Sequence, residues 1–393
     1  MNASSSELLQ PYCDTIEKVL LGSDYFVMHI QLLLLGVELI LICILFRYYG
    51  KHRIAIHGNL RLLFVNILAL YFIHSLAWFV YFMRYRILLY TYSNSCNLLS
   101  PVWMVPVFMG PYQVYSVAYP AFHFAVTFER IRATFLVHKY EKMGPQLIIK
   151  IICAIWLGSL AYLVGIVCLA LADPAIFGHP QGVVYLTSDY NATAIFLVMI
   201  FTMILVIVTA LFDWCIYLLN KRLRKSTRLG NNPIEYNLSL NYQINENTLS
   251  MLLIFPLDLL FALVYPVYNI AVLILRAYKP LLSPADFVSY YHMANTLLFL
   301  HSLITVVVYI RFIKFVSKLR RQNIVKNSPN DEAKMHFKHE IFSSETSRQQ
   351  QQQQHNNLPP RDMHVDTSDS GLLEIRQKRR VHDRMKRAYD EYG

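Results

Sequence analysis

Seven separate stretches of this sequence are each long and apolar enough to cross a lipid bilayer as a helix. A bilayer core of about 30 Å needs roughly 20 residues at about 1.5 Å of rise each. The runs cover approximately 27–49, 58–82, 103–128, 147–172, 192–219, 249–275 and 287–312. The first, VMHIQLLLLGVELILICILF, and the fifth, ATAIFLVMIFTMILVIVTALF, are uninterrupted. The third carries Pro106, Pro111 and Pro120, which a membrane helix tolerates when its neighbours satisfy the freed carbonyls, usually with a kink. The spacing predicts an all-α membrane protein built as a seven-transmembrane helix bundle over 27–312, preceded by an N-terminal segment, 1–26.

Composition supports this and narrows the function classes. Hydrophobic residues make up 55% and charged residues only 16% of the chain, against about 45–50% and about 25% in soluble proteins. A soluble enzyme, a disordered protein and a secreted disulfide scaffold are excluded. Glu7, Asp14 and Glu17 replace the basic start of a cleavable leader, so the first run is expected to act as an uncleaved anchor.

The net charge of +11 is read from its position. Nineteen Lys and Arg fall on one side of the seven runs and five on the other, and the remaining twelve of thirty-six lie in the C-terminal tail. Positive loops stay cytoplasmic. The N-terminus is therefore expected outside and the tail inside, in contact with the bilayer and with no nucleic acid as partner. The loop bearing Lys221, Arg222, Arg224 and Lys225 is among the basic ones. Orientation alone accounts for such charges, and a cytoplasmic protein partner is the second reading. The sequons at Asn2 and Asn191 fall on the expected outer side, whereas the one at Asn237 falls inside.

Around residues 313–325, Phe312, Phe315, Val316 and Leu319 alternate with Lys314, Lys318, Arg320 and Arg321. That pattern suits a short amphipathic helix along the inner leaflet. Residues 326–393 hold a glutamine run, 349–354, among Ser, Asn and Pro, and are expected to be a disordered cytoplasmic tail.

Ionisable groups inside lipid face the bundle interior. Glu38, His74, His123, Asp213, Asp258, His292 and His301 are the candidates. Their spacing matches no metal-ligand or hydrolase pattern, so neither catalysis nor a cofactor is expected. Glu129-Arg130 closes the third run at its inner boundary, where an Arg can hold a neighbouring helix end and a Glu can restrain the Arg. Arg132 follows close by. Counting back from Arg130 in turns of 3.6 gives Val126, His123, Tyr119, Ser116 and Tyr112 on one face. Tyr112 falls about 27 Å from Arg130, near the outer mouth. His74 and Trp78 of the second run, with His292 and Asn295 of the seventh, complete a candidate pocket with Tyr112 and Ser116. It is aromatic with a few polar groups, as suits a small organic ligand. Each of these residues is equally accounted for by helix packing.

Of six cysteines, Cys13 and Cys96 lie outside the runs on the oxidising side. A Cys13–Cys96 bridge is expected, with Cys96–Cys168 as the alternative.

Four stretches carry a resemblance: His57-Gly58-Asn59-Leu60; Cys96-Asn97-Leu98-Leu99; Glu129-Arg130 with Ala133-Thr134 and Lys139-Tyr140-Glu141; and Tyr242-Gln243-Ile244-Asn245-Glu246-Asn247. With seven spans and an outer N-terminus, the chain resembles a G-protein-coupled receptor (GPCR). It is similar to the nematode serpentine chemoreceptors of the Sra superfamily, class Srab foremost, with Sra and Sre as neighbours. The resemblance implies chemosensing in neuronal cilia, a small-molecule ligand and a heterotrimeric G protein. It supplies neither the ligand nor the oligomeric state. Glu129, Arg130, Arg132 and the 221–225 residues would meet the G protein. Two departures from the rhodopsin-like pattern stand out: loop 173–191 has no cysteine, and the seventh run has no N-P-x-x-Y. The rival functions are a ligand-gated channel, which the outer N-terminus disfavours, and an escort protein that binds no ligand.

Overall fold

The computed structural model describes residues 3–51, 57–136, 144–182, 186–228 and 238–326. The chain forms two compact units, Met1–Ile310 and Arg311–Gly393. The first is an all-α bundle. The longer helices among the described residues are α1 (Ala3–Leu21), α2 (Ser23–Lys51), α3 (Gly58–Thr91), α4 (Met104–Phe135), α5 (Gln146–Leu171), α6 (Ala192–Arg228), α7 (Leu238–Tyr278) and α8 (Pro284–Lys326).

Six of these, α2, α3 and α5 to α8, are long and apolar enough to cross a membrane. Helix α4 falls short of that measure, and its place in the bundle explains why. It packs against α3, α5, α6 and α7. Eighteen of its 32 residues are buried, against four of 26 in α5. A helix enclosed by other helices can carry tyrosine, glutamine, histidine and proline, whereas one facing lipid must be apolar nearly all round. Close packing of α4 on α5 is set at Gly110, where a Cβ would lie 3.3 Å from Leu163.

The helix ends follow local rules. Ser283-Pro284-Ala285-Asp286 opens α8 as a capping box with proline in the first turn: the Asp286 N–H donates to Ser283 Oγ at 3.1 Å, and Ser283 Oγ donates to Asp286 at 2.6 Å. Helix α8 then runs unbroken to Lys326, with no glycine or proline after Pro284. Residues 313–325, expected as a short amphipathic helix, are helical. Residues 327–393, with the glutamine run, lie outside the described residues.

One end of the bundle is a folded cap. The N-terminal segment is itself a helix, α1, joined through Cys13 to Cys96 by a disulfide. Ile16, Val19 and Leu20 of α1 are buried. The cysteine-free loop after α5 is held instead by main-chain bonds. The Ser100 N–H donates to the Gln181 carbonyl at 2.7 Å and the reverse bond is 2.9 Å. Tyr85 donates its hydroxyl to the Gly182 carbonyl at 3.0 Å.

Candidate functional site

Below that cap a cavity of about 210 Å³ opens between α4, α6, α7 and α8. Its polar groups come from five helices and, between them, from Thr187, Ser188, Asp189 and Lys279. Helix α4 gives Tyr112, Gln113 and Ser116; α5 gives Tyr162; α6 gives Thr202; α7 gives Tyr265, Asn269 and Arg276; α8 gives Tyr291 and His292. Met109, Ile195, Val198, Met199, Val272 and Val288 supply apolar walls.

The hydroxyls are fixed by one another. Tyr112 and Tyr268 hydroxyls lie 2.7 Å apart, and Tyr268 donates to Asn295 Oδ1 at 3.0 Å. Tyr265 donates to the Ser116 carbonyl at 3.0 Å and contacts Thr202 Oγ1 at 3.1 Å. Tyr162 donates to Gln113 Oε1 at 3.2 Å. These bonds tie α4, α5, α6, α7 and α8 around one space, so an occupant that displaces a tyrosine hydroxyl acts on several helices at once.

Of the six expected pocket residues, Tyr112, Ser116 and His292 line the cavity. His74, Trp78 and Asn295 are not on its wall. The His74 ring stacks on Tyr115 at 4.3 Å. Trp78 packs on Phe82 at 5.3 Å and edge-on to Tyr112 at 6.4 Å. Asn295 reaches the site through Tyr268. Sequence reading missed Thr202, Tyr265, Asn269, Arg276 and Tyr291. A usable signal was present: 265, 269, 272 and 276 fall on one face of α7 at steps of four, three and four.

From the cavity a polar column descends α4. Tyr119 meets Tyr71 hydroxyl to hydroxyl and lies edge-on to His123 at 4.4 Å. His123 Nδ1 contacts Asp258 Oδ1 of α7. Thr127 donates to Asp213 of α6 at 2.8 Å. Arg130, almost wholly buried, donates to Asn247 Oδ1 of α7 at 3.0 Å. Asn247 Nδ2 in turn reaches Thr134 Oγ1 at 3.4 Å. Glu129 faces the other way, accepting from Asn59 Nδ2 of α3 at 2.8 Å and from Arg132 at 3.0 Å. Glu129 is thus bonded to Arg132 and to α3. Beside the column, Ser75 and Ser302 each donate to a different oxygen of Glu38 at 2.8 Å. Lys221 and Arg222 are exposed on α6. The side chains of Arg224 and Lys225 lie outside the described residues, as does Asn2.

Asn191 is enclosed at the start of α6. Its amide donates to the Ile166 and Leu186 carbonyls at 3.2 and 2.8 Å, and its Oδ1 accepts from the Ser188 N–H at 2.8 Å. Both amide hydrogens are used inside the fold. Asn191→Gln is expected to leave gel mobility unchanged before and after glycosidase; a mobility shift would contradict the capping role.

Comparison with curated proteins finds no match. Residues 13–344 match the family of serpentine type seven-transmembrane GPCR class ab chemoreceptors, a family that is not an enzyme class. The matched stretch takes in the disulfide-linked cysteines, the cavity and the Arg130 clasp. The chain belongs to the class ab serpentine receptor family and is a multi-pass membrane protein.

Proposed function

We propose that this protein is a chemosensory receptor that binds a small molecule in the cavity between α4, α6, α7 and α8 and activates a heterotrimeric G protein. The observation that carries the proposal is helix α4, which lines the cavity at Tyr112 and Ser116 and ends in the clasp of Arg130 with Asn247. The charge distribution supports an outer N-terminus and a cytoplasmic Arg130 end in the plasma membrane, with sensory cilia implied by the family. Asn2 is the glycosylation site this topology favours.

A ligand acts by favouring one of two helix arrangements. Tyr112, Tyr265 and Tyr268 are the groups it would disturb, and their bonds join α4 to α7 and α8. Rotation of α7 relative to α4 then releases Asn247 from Arg130. The freed Arg130, with Arg132, Lys221, Arg222, Arg224 and Lys225, meets the G protein.

Met199→Trp fills the cavity wall with a bulky ring. Applied to cells responding to an odorant panel, it is expected to lower potency at least tenfold, about 1.4 kcal/mol, with surface expression near that of the unmodified receptor. Unchanged potency would move the site elsewhere. Recording membrane current beside cAMP and calcium separates a G-protein response from a channel, and silence on all three favours an escort role.

A further inference from the structure

The cavity carries more positive charge than its apolar surroundings account for. Arg276 and Lys279 both line it, and the acid on its wall is Asp189, which is solvent-exposed. Lys279 lies over the Phe287 ring at 5.9 Å. Arg276 is half-buried and has no hydrogen-bond or ion-pair partner among the described residues. It shares the cavity wall with Tyr112, Tyr162 and Tyr291. Such a guanidinium keeps its five donors available to an acceptor that enters the cavity. Its position also runs against the orientation rule, since Arg276 is among only five cations on the expected outer side. Topology does not ask for it.

We propose that the ligand is a small organic acid, its carboxylate held by Arg276 with support from Lys279. This deepens the proposal above and rests on it. A carboxylate takes two guanidinium donors side by side, and such charge-assisted bonds strengthen where water is excluded. The ligand's body lies among Ile195, Met199 and Val272, which offer only apolar contact. A cavity of about 210 Å³ equals roughly seven water volumes, so an acid of about ten non-hydrogen atoms is the right size. An amine of the same shape meets two like charges and is rejected. An alcohol keeps the apolar contact and loses the ion pair.

The test uses the full chain, purified in nanodiscs, with two matched sets of probes. One is phenylacetate, 2-phenylethanol and 2-phenylethylamine; the other is hexanoate, hexanol and hexylamine. Thermal stabilisation is followed against probe concentration. The acids are expected to act at concentrations about tenfold below the alcohols, with the amines inactive. Arg276→Gln should bring each acid to the level of its alcohol, whereas Arg276→Lys should keep most of the preference. Lys279→Gln gives a smaller loss of the same sign and serves if the Arg276 variants fold poorly. Met199→Trp should abolish stabilisation by acid and alcohol alike. If alcohols or amines bind as well as acids and Arg276→Gln changes nothing, the acid assignment is overturned while the cavity stands. If acids bind but Met199→Trp has no effect, the cavity itself is wrong. No stabilisation by either acid at its solubility limit also overturns the assignment.

Discussion

Arg130→Ala is expected to lower agonist-stimulated nucleotide exchange at least tenfold, while Asn247→Ala raises exchange in the absence of agonist. The two residues form one hydrogen bond across α4 and α7, yet the variants should act in opposite directions. A hydrogen bond to a charged group contributes about 1.5–3 kcal/mol. Removing Asn247 withdraws that restraint, together with its contact to Thr134, from the arrangement described here. The resting population then shifts toward the open one by about tenfold or more. Removing Arg130 takes away the restraint and also the cation proposed to meet the G protein, so the released state has no effector contact. Purified receptor reconstituted with a heterotrimer gives both rates. Surface labelling of the same variants distinguishes lost coupling from lost receptor. Equal loss of basal and stimulated exchange in Asn247→Ala, at normal surface level, would sink the clasp.

The same pair shows which parts of the site sequence reading reaches. Helical periodicity placed Arg130, Val126, His123, Tyr119, Ser116 and Tyr112 on one face of α4. All are buried except Ser116, which is half-buried and lines the cavity. Periodicity depends only on the local rise and turn of a helix, so it survives without any tertiary knowledge. It does not reveal between which helices space is left. His74 and Trp78 point inward from α3, but α3 packs tightly on α4 and their rings are filled around by Tyr115, Phe82 and Phe299. The cavity opens on the opposite flank of α4, toward α6 and α7.

Other departures come from polar groups at helix ends. Helix α3 continues nine residues past the apolar run ending at 82. Arg84 there donates to Ser100 Oγ at 2.9 Å, and Arg86 lies over the Tyr25 ring at 4.7 Å. Both are thus accommodated without breaking the helix. Helix α1 was not expected, since its sequence is neither strongly apolar nor marked by a clear start. It packs on the turn around Cys96 and is covalently joined to it. Cysteine position alone left Cys168 open as a partner for Cys96. Deciding between the two needs the docking of α1, which no local pattern reports.

Asp258→Ala is the substitution expected to destabilise the bundle most. Asp258 contacts His123 Nδ1 of α4, and Asp213 of α6 is held one turn further along the same helix by Thr127. All three residues are buried. An ordinary hydrogen bond between membrane helices contributes only about 0.6 kcal/mol, because the separated helices find other partners. The Thr127 bond to Asp213 belongs to that class, and Thr127→Val should be nearly silent. Removing one member of a buried ionisable pair is different: it strands the other at a cost of about 3–5 kcal/mol. Asp258→Ala leaves the His123 imidazole stranded, whereas Asp213 keeps its bond from Thr127, so the melting temperature of the purified receptor should fall sharply. Asp258→Asn keeps hydrogen-bonding capacity and should lose less. Adding His123→Ala to Asp258→Ala should recover part of the loss, since the stranded imidazole is gone. That non-additivity is the decisive reading, because a mere cavity effect makes the double variant worse than either single one. The cluster sits on α4 between Tyr112 at the cavity and Arg130 at the clasp, and joins α6 and α7 to the same helix. A variant that melts early but still folds should therefore also uncouple ligand binding from exchange, whereas a purely structural cluster would leave that coupling intact in whatever receptor survives.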